Sequence, residues 1–251
     1  MKSEGSGAGP GAPAGRLTTL LTRWFLRQAT ASKVEVLSEH FRLITLAGAK
    51  LKDVQWAPGQ KIQIVVGGGG ANRTYTPLSW DAMSGETRIL AFSHGEGPGS
   101  VWASTVRVGD GCQFSGPRRS LDLSGLGERT FLFGDETSFG LARAVGTSMG
   151  PSGAAALLFE ASSVGASELV SRALGIQKNV TFVQRAEADA HLSEVEAQVL
   201  KIIDEWAPTS FVLSGKSSSI QRISRLLKSR GIVSSRLRAV VYWAPGRKGL
   251  D

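Results

Sequence analysis

Four consecutive residues, Arg73-Thr74-Tyr75-Thr76, combine side chains that can bind a flat, charged ligand. Their composition predicts a β-strand, and a strand points residues 73 and 75 to the same side. The guanidinium of Arg73 offers a forked pair of donors that suits a phosphate. The ring of Tyr75 can pack against a planar group while the Thr76 hydroxyl bonds to its edge. Tyr and Thr are also common in ordinary strands, so this segment alone leaves a purely structural role open.

A glycine-rich turn further along the chain supplies an anion pocket. The sequence His94-Gly95-Glu96-Gly97-Pro98-Gly99-Ser100 predicts a turn that enters a helix, because Pro98 suits a first helical turn. N–H groups at such a helix start favour an anion. His94 is either a hydrogen-bond donor beside the ligand or a structural residue. A phosphate pocket and a surface for a ring are what a flavin requires. The predicted flavin-binding residues are Arg73, Tyr75, Thr76, His94, Gly97, Gly99 and Ser100.

A third motif, Gly134-Asp135-Glu136-Thr137, follows the first strand of a later series in which strands and helices alternate. Ligands of parallel sheets bind beyond the carboxyl ends of the strands, so this turn is the expected floor of a nicotinamide site, with Gly134, Asp135 and Thr137 as contacts. The turn is not GxGxxG, and its acids could equally complement a helix dipole. Glu160 ends the next strand, where an acid commonly holds adenosine ribose.

The composition narrows the classes of function. The chain has 251 residues, a net charge of +8, and 41% hydrophobic residues, which predicts a globular protein of two domains. No dense basic run with interleaved aromatics occurs, which disfavours nucleic-acid binding. The apolar runs are too short for a membrane helix. One cysteine, Cys112, excludes an intrachain disulfide framework and a multi-cysteine metal site, and it fits a reducing, cytoplasmic environment.

The pattern along the chain predicts a disordered tail at 1–16 and two domains. Residues 17–30 show helical spacing of apolar residues with arginines between them, which predicts an amphipathic helix that packs on its own domain or on a second subunit, or that lies on a membrane. From there to residue 125, short strands separated by glycine turns predict an antiparallel Greek-key β-barrel that binds FAD. From 126 to 251, strands alternating with helices predict an α/β domain with a parallel sheet that binds NAD(P)H.

Taken together, these segments resemble the siderophore-interacting protein family, which are FAD-containing ferric-siderophore reductases of the ferredoxin reductase superfamily. The resemblance covers nearly the whole chain from about residue 30, in family order. It departs from the family at Leu78, where a second arginine is common, and at Lys216, where an acid is common. The matching segments are Arg73-Thr74-Tyr75-Thr76, His94-Gly95-Glu96-Gly97-Pro98-Gly99-Ser100-Val101-Trp102-Ala103, Gly116-Pro117-Arg118, Gly134-Asp135-Glu136-Thr137 and Tyr242-Trp243-Ala244-Pro245-Gly246-Arg247.

The resemblance implies electron transfer from NAD(P)H through FAD to an iron(III) chelate, with Tyr75 and Thr76 as the catalytic residues beside the flavin. It implies no iron site in the protein. It also implies a basic rim that steers an anionic ferric siderophore to the flavin, and the candidates are Arg118, Arg119, Arg247 and Lys248.

Two other functions stay open at the level of sequence. One is an NAD(P)H-dependent flavin oxidoreductase with a different electron acceptor, and the other is a flavin-binding or siderophore-binding module without turnover. NADH, NADPH and a ferredoxin all stay open as electron donors. The chain could be a monomer, or a homodimer formed through the helix at 17–30.

Overall fold

The computed structural model describes residues 26–67 and 71–246, which form two β-sheets that follow one another along the chain. The first sheet has seven antiparallel strands and curls into half of a barrel, whereas the second has five strands that all run parallel. This architecture confirms the predicted fold class, a barrel-like antiparallel unit followed by an α/β unit.

The first sheet forms because short apolar segments alternate with polar positions and turns. Along β6 every second residue from Thr87 to Ala91 is buried, and the buried side packs on the core around Ile44, Ile64 and Phe114. One helix, α1 (Pro98–Thr105), lies between β6 and β7. The strands are β1 (Arg27–Val36), β2 (Phe41–Ala47), β3 (Lys61–Val66), β4 (Ala71–Tyr75), β5 (Ser79–Asp81), β6 (Glu86–Phe92) and β7 (Gly111–Arg118), in the spatial order β4-β3-β7-β1-β2-β6-β5.

The second sheet has helices between its strands, as parallel connections require. Its central strand is buried almost throughout, which explains the continuous apolar run Phe131-Leu132-Phe133. The spatial order is β10-β9-β8-β11-β12. The elements are β8 (Arg129–Gly134), α2 (Phe139–Ser148), β9 (Ala154–Ala161), α3 (Val164–Ala173), β10 (Val180–Gln184), α4 (Leu192–Trp206), β11 (Ser210–Lys216), α5 (Ser217–Ser229) and β12 (Leu237–Trp243), with short 3-10 helices at Ala49–Leu51, Glu136–Ser138, Glu187–Asp189 and Ser234–Arg236.

The helix predicted over 17–30 is wrong at its carboxyl end. Residues 27–30 belong to β1, where Arg27 lies opposite Phe114 and Thr30 lies opposite Gly111 of β7. Pairing with β7 satisfies the backbone of these residues, and this tertiary contact overrides the helical spacing of the side chains. Residues 17–25 of that helix and the tail predicted at 1–16 lie outside the described residues.

The two sheets pack against each other through an apolar layer. The rings of Phe41, from β2, and Phe139, from α2, stack with centroids 5.9 Å apart. Gly140 follows Phe139, and a side chain at this position would meet the Thr76 carbonyl oxygen at 2.5 Å. The start of α2 therefore lies directly on the chain that leaves β4.

The chain passes from one sheet to the other between Arg118 and Arg129. The boundary predicted between residues 125 and 126 falls in this connection, and the division into two domains stays a prediction. Among the described helices, none is both long enough and apolar enough to cross a membrane.

Candidate functional site

A cleft between the two sheets collects residues from well-separated parts of the chain. The strand β4, the turn that enters α1, the turn that enters α2 and the end of β12 all contribute side chains to it. Both segments that predicted a flavin therefore face one cavity, together with Thr137 of the predicted nicotinamide floor. The lining residues are Asn72, Arg73, Thr74, Tyr75, Thr76, Leu90, Phe92, His94, Gly99, Ser100, Glu136, Thr137, Gly140, Tyr242, Trp243 and Ala244.

Arg73 crosses the cleft wall directly over Gly99, in the first turn of α1. A Cβ on Gly99 would lie 2.6 Å from both Cγ and Nε of Arg73, so only glycine admits this arginine conformation. The guanidinium reaches the helix start, because a Cβ on Gly97 would be 3.8 Å from Nη2, and its Nη1 donates to the Asn72 carbonyl at 2.7 Å. A cation beside a helix amino terminus is a fitting site for the phosphates of FAD.

Ser100 and His94 hold the glycine-rich turn closed. The Ser100 hydroxyl donates to the His94 carbonyl at 2.5 Å and accepts from the His94 backbone N–H at 2.9 Å. The His94 ring lies between two aromatic rings, with centroids 5.5 Å from both Phe92 and Trp243. Burial lowers the pKa of His94, so the ring is neutral at pH 7 and has one N–H to donate.

Tyr75 and Thr76 stand side by side at the end of β4 and keep neutral hydroxyl groups. Burial raises the pKa of Tyr75 well above its usual value. The Thr76 hydroxyl lies 3.3 Å from the Tyr242 hydroxyl, and burial raises the pKa of Tyr242 to about 12. Both tyrosines therefore act as hydrogen-bonding groups and not as charges at neutral pH.

Trp102 supports Tyr75 from the side of α1. The two ring centroids are 5.7 Å apart, and both rings pack on the core of the first sheet. Sequence reasoning gave Trp102 no cofactor role, and the structure places it behind Tyr75, outside the lining of the cleft. Trp102 follows Gly99 by about one helical turn, and this spacing is the signal in the sequence that places both residues on the same side of α1.

Asp135 lies behind the cleft and has no exposed surface. Its carboxylate accepts from the Thr137 backbone N–H at 2.9 Å, from the Thr137 hydroxyl, and from the Trp243 indole N–H at 2.7 Å. Burial, together with the neighbouring charge of Glu136, raises the pKa of Asp135 to about 6 against these hydrogen bonds. Gly134 packs just as tightly, because a Cβ there would meet Ser138 at 2.5 Å. Two residues of this motif, Glu136 and Thr137, therefore line the cleft.

A cluster of buried charges joins the carboxyl ends of the parallel strands. Arg185, which follows β10, bonds to Glu136 at 2.8 Å. The Ser162 backbone N–H and hydroxyl bond to the other oxygen of Glu136 at 2.5 and 2.6 Å. Burial alone would raise the pKa of Glu136, but the charge and hydrogen bonds of Arg185 and the bonds from Ser162 lower it. Sequence reasoning missed Arg185, although its position just after a parallel strand places it at this edge.

Glu160 does not present its carboxylate to the surface, contrary to the expectation of a ribose contact. It is fully buried, accepts from the Ser219 hydroxyl at 2.8 Å and lies 2.8 Å from Nε2 of His191. A second acid in the apolar interior requires such partners. The end of β9 is therefore occupied by bonds within the protein.

The proposed basic rim is described only in part. Arg118 and Arg119 are exposed at the end of β7 and are not among the described residues that line the cleft, and Arg247 and Lys248 lie outside the described residues.

Lys216 is an ion-pair partner of Asp189, and its Nζ lies 5.8 Å from the centre of the Trp243 ring. Within residues 26–67 and 71–246, no cluster of His, Cys, Asp and Glu could hold a metal ion.

The chain resembles proteins of known family in the part that carries the flavin motifs. Residues 67–121 match the family model of the siderophore-interacting FAD-binding domain. This match confirms the resemblance predicted from the sequence. A search of curated protein sequences finds no match.

Solved structures with the same fold cover most of the chain. The siderophore-interacting protein SipS from Aeromonas hydrophila is 21% identical, with a TM-score of 0.73 over 88% of this chain and 92% of that one. A siderophore utilization protein from T. fusca is 19% identical, with a TM-score of 0.68 over 90% and 95%. The ferredoxin reductase in carbazole 1,9a-dioxygenase is 17% identical, with a TM-score of 0.70 over 87% and 69%. The family match supports FAD as the cofactor, and the solved structures show the same two-sheet fold.

Proposed function

We propose that this protein is an FAD-dependent ferric-siderophore reductase that passes electrons from NAD(P)H through FAD to an iron(III) chelate and releases iron(II). The observation that carries the proposal is the close packing of the Arg73 side chain on Gly99. A cation lies over a helix start, held there by a glycine that no larger residue could replace without displacing it. The same cleft contains an aromatic and hydroxyl pair suited to a flat ring, and residues 67–121 match a siderophore-interacting FAD-binding domain.

When bound, FAD supplies the conversion of a two-electron donor into single electrons. The residues of the chain bind and orient it. Arg73 and the N–H groups at the start of α1 hold its phosphates. Tyr75 and Thr76 present a ring face and a hydroxyl, and the neutral ring of His94 offers one N–H. Phe92, Leu90 and the aromatic side chains of Tyr242 and Trp243 reduce the access of water to the same space.

The nicotinamide nucleotide is proposed to approach across Thr137, which faces the cleft at the carboxyl end of β8. The family also leaves a ferredoxin open as the donor, and the choice between NADH, NADPH and a ferredoxin belongs to the experiment below. We place the reaction in the cytoplasm because the single cysteine of the chain fits a reducing compartment.

The substrate class follows from the chemistry of iron. Hard anionic oxygens bind iron(III) more strongly than iron(II), so one-electron reduction loosens a siderophore complex and requires no iron site in the protein. Catecholate complexes are anionic, and a chain with a net charge of +8 attracts them. Arg118 and Arg119 are exposed and suited to this steering, as are Arg247 and Lys248 by their sequence position.

An anaerobic absorbance titration tests the proposal. FAD-loaded protein receives NADH or NADPH, then a ferric catecholate siderophore in the presence of an iron(II) trap. Bleaching of the flavin by one nucleotide, followed by return of the colour with trapped iron(II), is the expected result. Bleaching by a reduced ferredoxin and by neither nucleotide would assign a ferredoxin as the donor.

The controls separate the rival functions. Bleaching without trapped iron(II) would indicate a reductase with another acceptor, such as free flavin, a quinone or a redox protein. Protein that cannot be loaded with FAD would refute the cofactor assignment. Arg73→Gln is expected to weaken FAD binding, whereas Arg88→Gln, on the exposed side of β6, removes the same charge without touching the cleft.

A further inference from the structure

The end of β12 contains an irregularity that changes where two aromatic side chains point. Gly215 of β11 lies opposite Val241, but the next residue, Lys216, lies opposite Trp243, so Tyr242 is an extra residue in β12. Successive residues of a regular strand point to opposite faces, and a bulge of this kind redirects them. Here both Tyr242 and Trp243 line the cleft.

Asp135 fixes the orientation of Trp243 within this irregular segment. The indole N–H of Trp243 donates to Oδ2 of the buried Asp135 carboxylate at 2.7 Å. The guanidinium carbon of Arg185 lies 5.8 Å from the centre of the Trp243 ring, as does Nζ of Lys216. On the other side of the cleft, in the turn that follows β6, the centroid of the His94 ring lies 5.5 Å from that of Trp243. The indole is thus held between the charged groups of Arg185 and Lys216 and the ring of His94.

Gly215 makes this arrangement sterically feasible. Its φ of +105° belongs to the region that favours glycine, and a Cβ on it would lie 2.4 Å from Oδ2 of Asp135. The same glycine therefore permits the bulge and leaves room for the carboxylate that holds the indole.

We infer that Asp135 is a positioning residue, an inference that rests on the proposed binding of FAD in this cleft. Asp135 makes no contact with the flavin but fixes Trp243 as one wall of the cleft. The predicted direct contact of Asp135 with a nicotinamide is replaced by this indirect role. A fixed wall lowers the entropy lost when a flat ring enters, so the hydrogen bond contributes to FAD affinity without touching the ligand.

Asp135→Asn tests the hydrogen bond selectively. Thr137 donates two hydrogens to Oδ1, from its backbone and its hydroxyl, so the single amide oxygen of Asn will face Thr137. The amide NH₂ will then face the indole N–H, and donor meets donor. Trp243→Phe removes the N–H and keeps an aromatic ring. Asp81→Asn is the matched control, because this exposed carboxylate accepts from Met83 and Ser84 in a turn far along the sheet.

The first readout is the indole resonance of Trp243 in a ¹H–¹⁵N NMR spectrum of the protein without FAD, assigned by its loss in Trp243→Phe. In Asp135→Asn this resonance is expected to shift upfield and to exchange faster with water. The second readout is the Kd for FAD, expected to rise about tenfold in each single variant, the effect of one hydrogen bond to a charged group. Each variant removes the same hydrogen bond between Asp135 and Trp243. The double variant should therefore bind FAD no more weakly than the single variant with the higher Kd.

The outcomes distinguish this inference from the proposed function. An unchanged indole resonance in Asp135→Asn, additive losses of FAD affinity in the double variant, or an equal loss in Asp81→Asn would overturn the positioning role. If none of the proteins binds FAD, the proposed function fails, and the resonance still shows whether Asp135 holds the indole. If Asp135→Asn does not fold, the FAD affinity of Trp243→Phe decides, and an unchanged Kd there would also overturn the inference.

Discussion

Replacing Gly99 by alanine should separate cofactor binding from fold stability. The added Cβ would lie 2.6 Å from Cγ and Nε of Arg73 and 2.8 Å from Cδ, all well inside van der Waals contact. Arg73 must therefore leave the helix start, where its Nη1 donates a local hydrogen bond to the Asn72 carbonyl. The backbone of Gly99 is helical, so alanine is compatible with it and should change the stability of the protein without FAD by no more than about 1 kcal/mol.

The loss of FAD affinity can be worked out from the contacts that Arg73 would make. Hydrogen bonds to a charged group contribute about 1.5–3 kcal/mol, so the Kd should rise roughly 10- to 100-fold. Fluorescence titration with FAD measures the Kd, and thermal unfolding of the protein without FAD measures the stability. Gly146→Ala is the matched control, because this glycine lies exposed in α2 with no heavy atom within 4 Å of the added Cβ.

Two results would refute the reasoning. An unchanged Kd in Gly99→Ala would mean that the position of Arg73 over the helix start does not matter for FAD. A fall in Tm of many degrees, without FAD and relative to Gly146→Ala, would mean that Arg73 cannot move aside and that the helix is displaced instead.

Three further predictions concern the contact between the sheets, the buried acid and the basic surface. Gly140→Ala places a Cβ 2.5 Å from the Thr76 carbonyl and should lower the free energy of unfolding in urea by about 1–3 kcal/mol, and no loss would mean that the sheets separate freely. The folded pKa of Asp135, about 6, lies above its ordinary 3.8, so the stability that its proton provides is present below pH 3.8 and lost as the pH rises through about 6. The free energy of unfolding in urea, measured across this pH range, should fall in the wild type relative to Asp135→Asn. If the free energies of the two proteins change with pH in parallel, the raised pKa is contradicted. Replacing Arg119 and Arg247 together by Gln should raise KM for a ferric catecholate and weaken its salt dependence, and an unchanged KM would remove the steering role.

Local patterns in the sequence were sufficient to predict the fold class and to single out two segments that the structure brings to one cleft. The alternation along β6 and the apolar run of β8 depend on which faces of each sheet are buried, and that signal is written into neighbouring residues. The segment from Arg73 to Thr76 and the turn before α1 are also local, and each contains the residue types that its chemistry needs. The structure adds the reason for Gly99, which is the passage of Arg73 over it.

The helix predicted over 17–30 shows where local patterns fail. Its carboxyl end is a strand because β7 supplies partners from more than eighty residues away. The expected ribose contact of Glu160 failed for the same reason. Glu160 lies near the end of a strand, but its buried carboxylate is bonded by His191, which precedes α4, and by Ser219, which lies in α5.

The sequence by itself determined the two successive sheets, the residues of β4 and the glycine-rich turn, because each depends on periodicity and residue type over a few positions. Tertiary structure alone decided the other wall of the cleft. Regular alternation would point Tyr242 and Trp243 to opposite faces, and only the bulge opposite Gly215 and Lys216 turns both inward. The partner that fixes Trp243 is Asp135, which follows β8 more than one hundred residues earlier, so no pattern within either segment could reveal the pair.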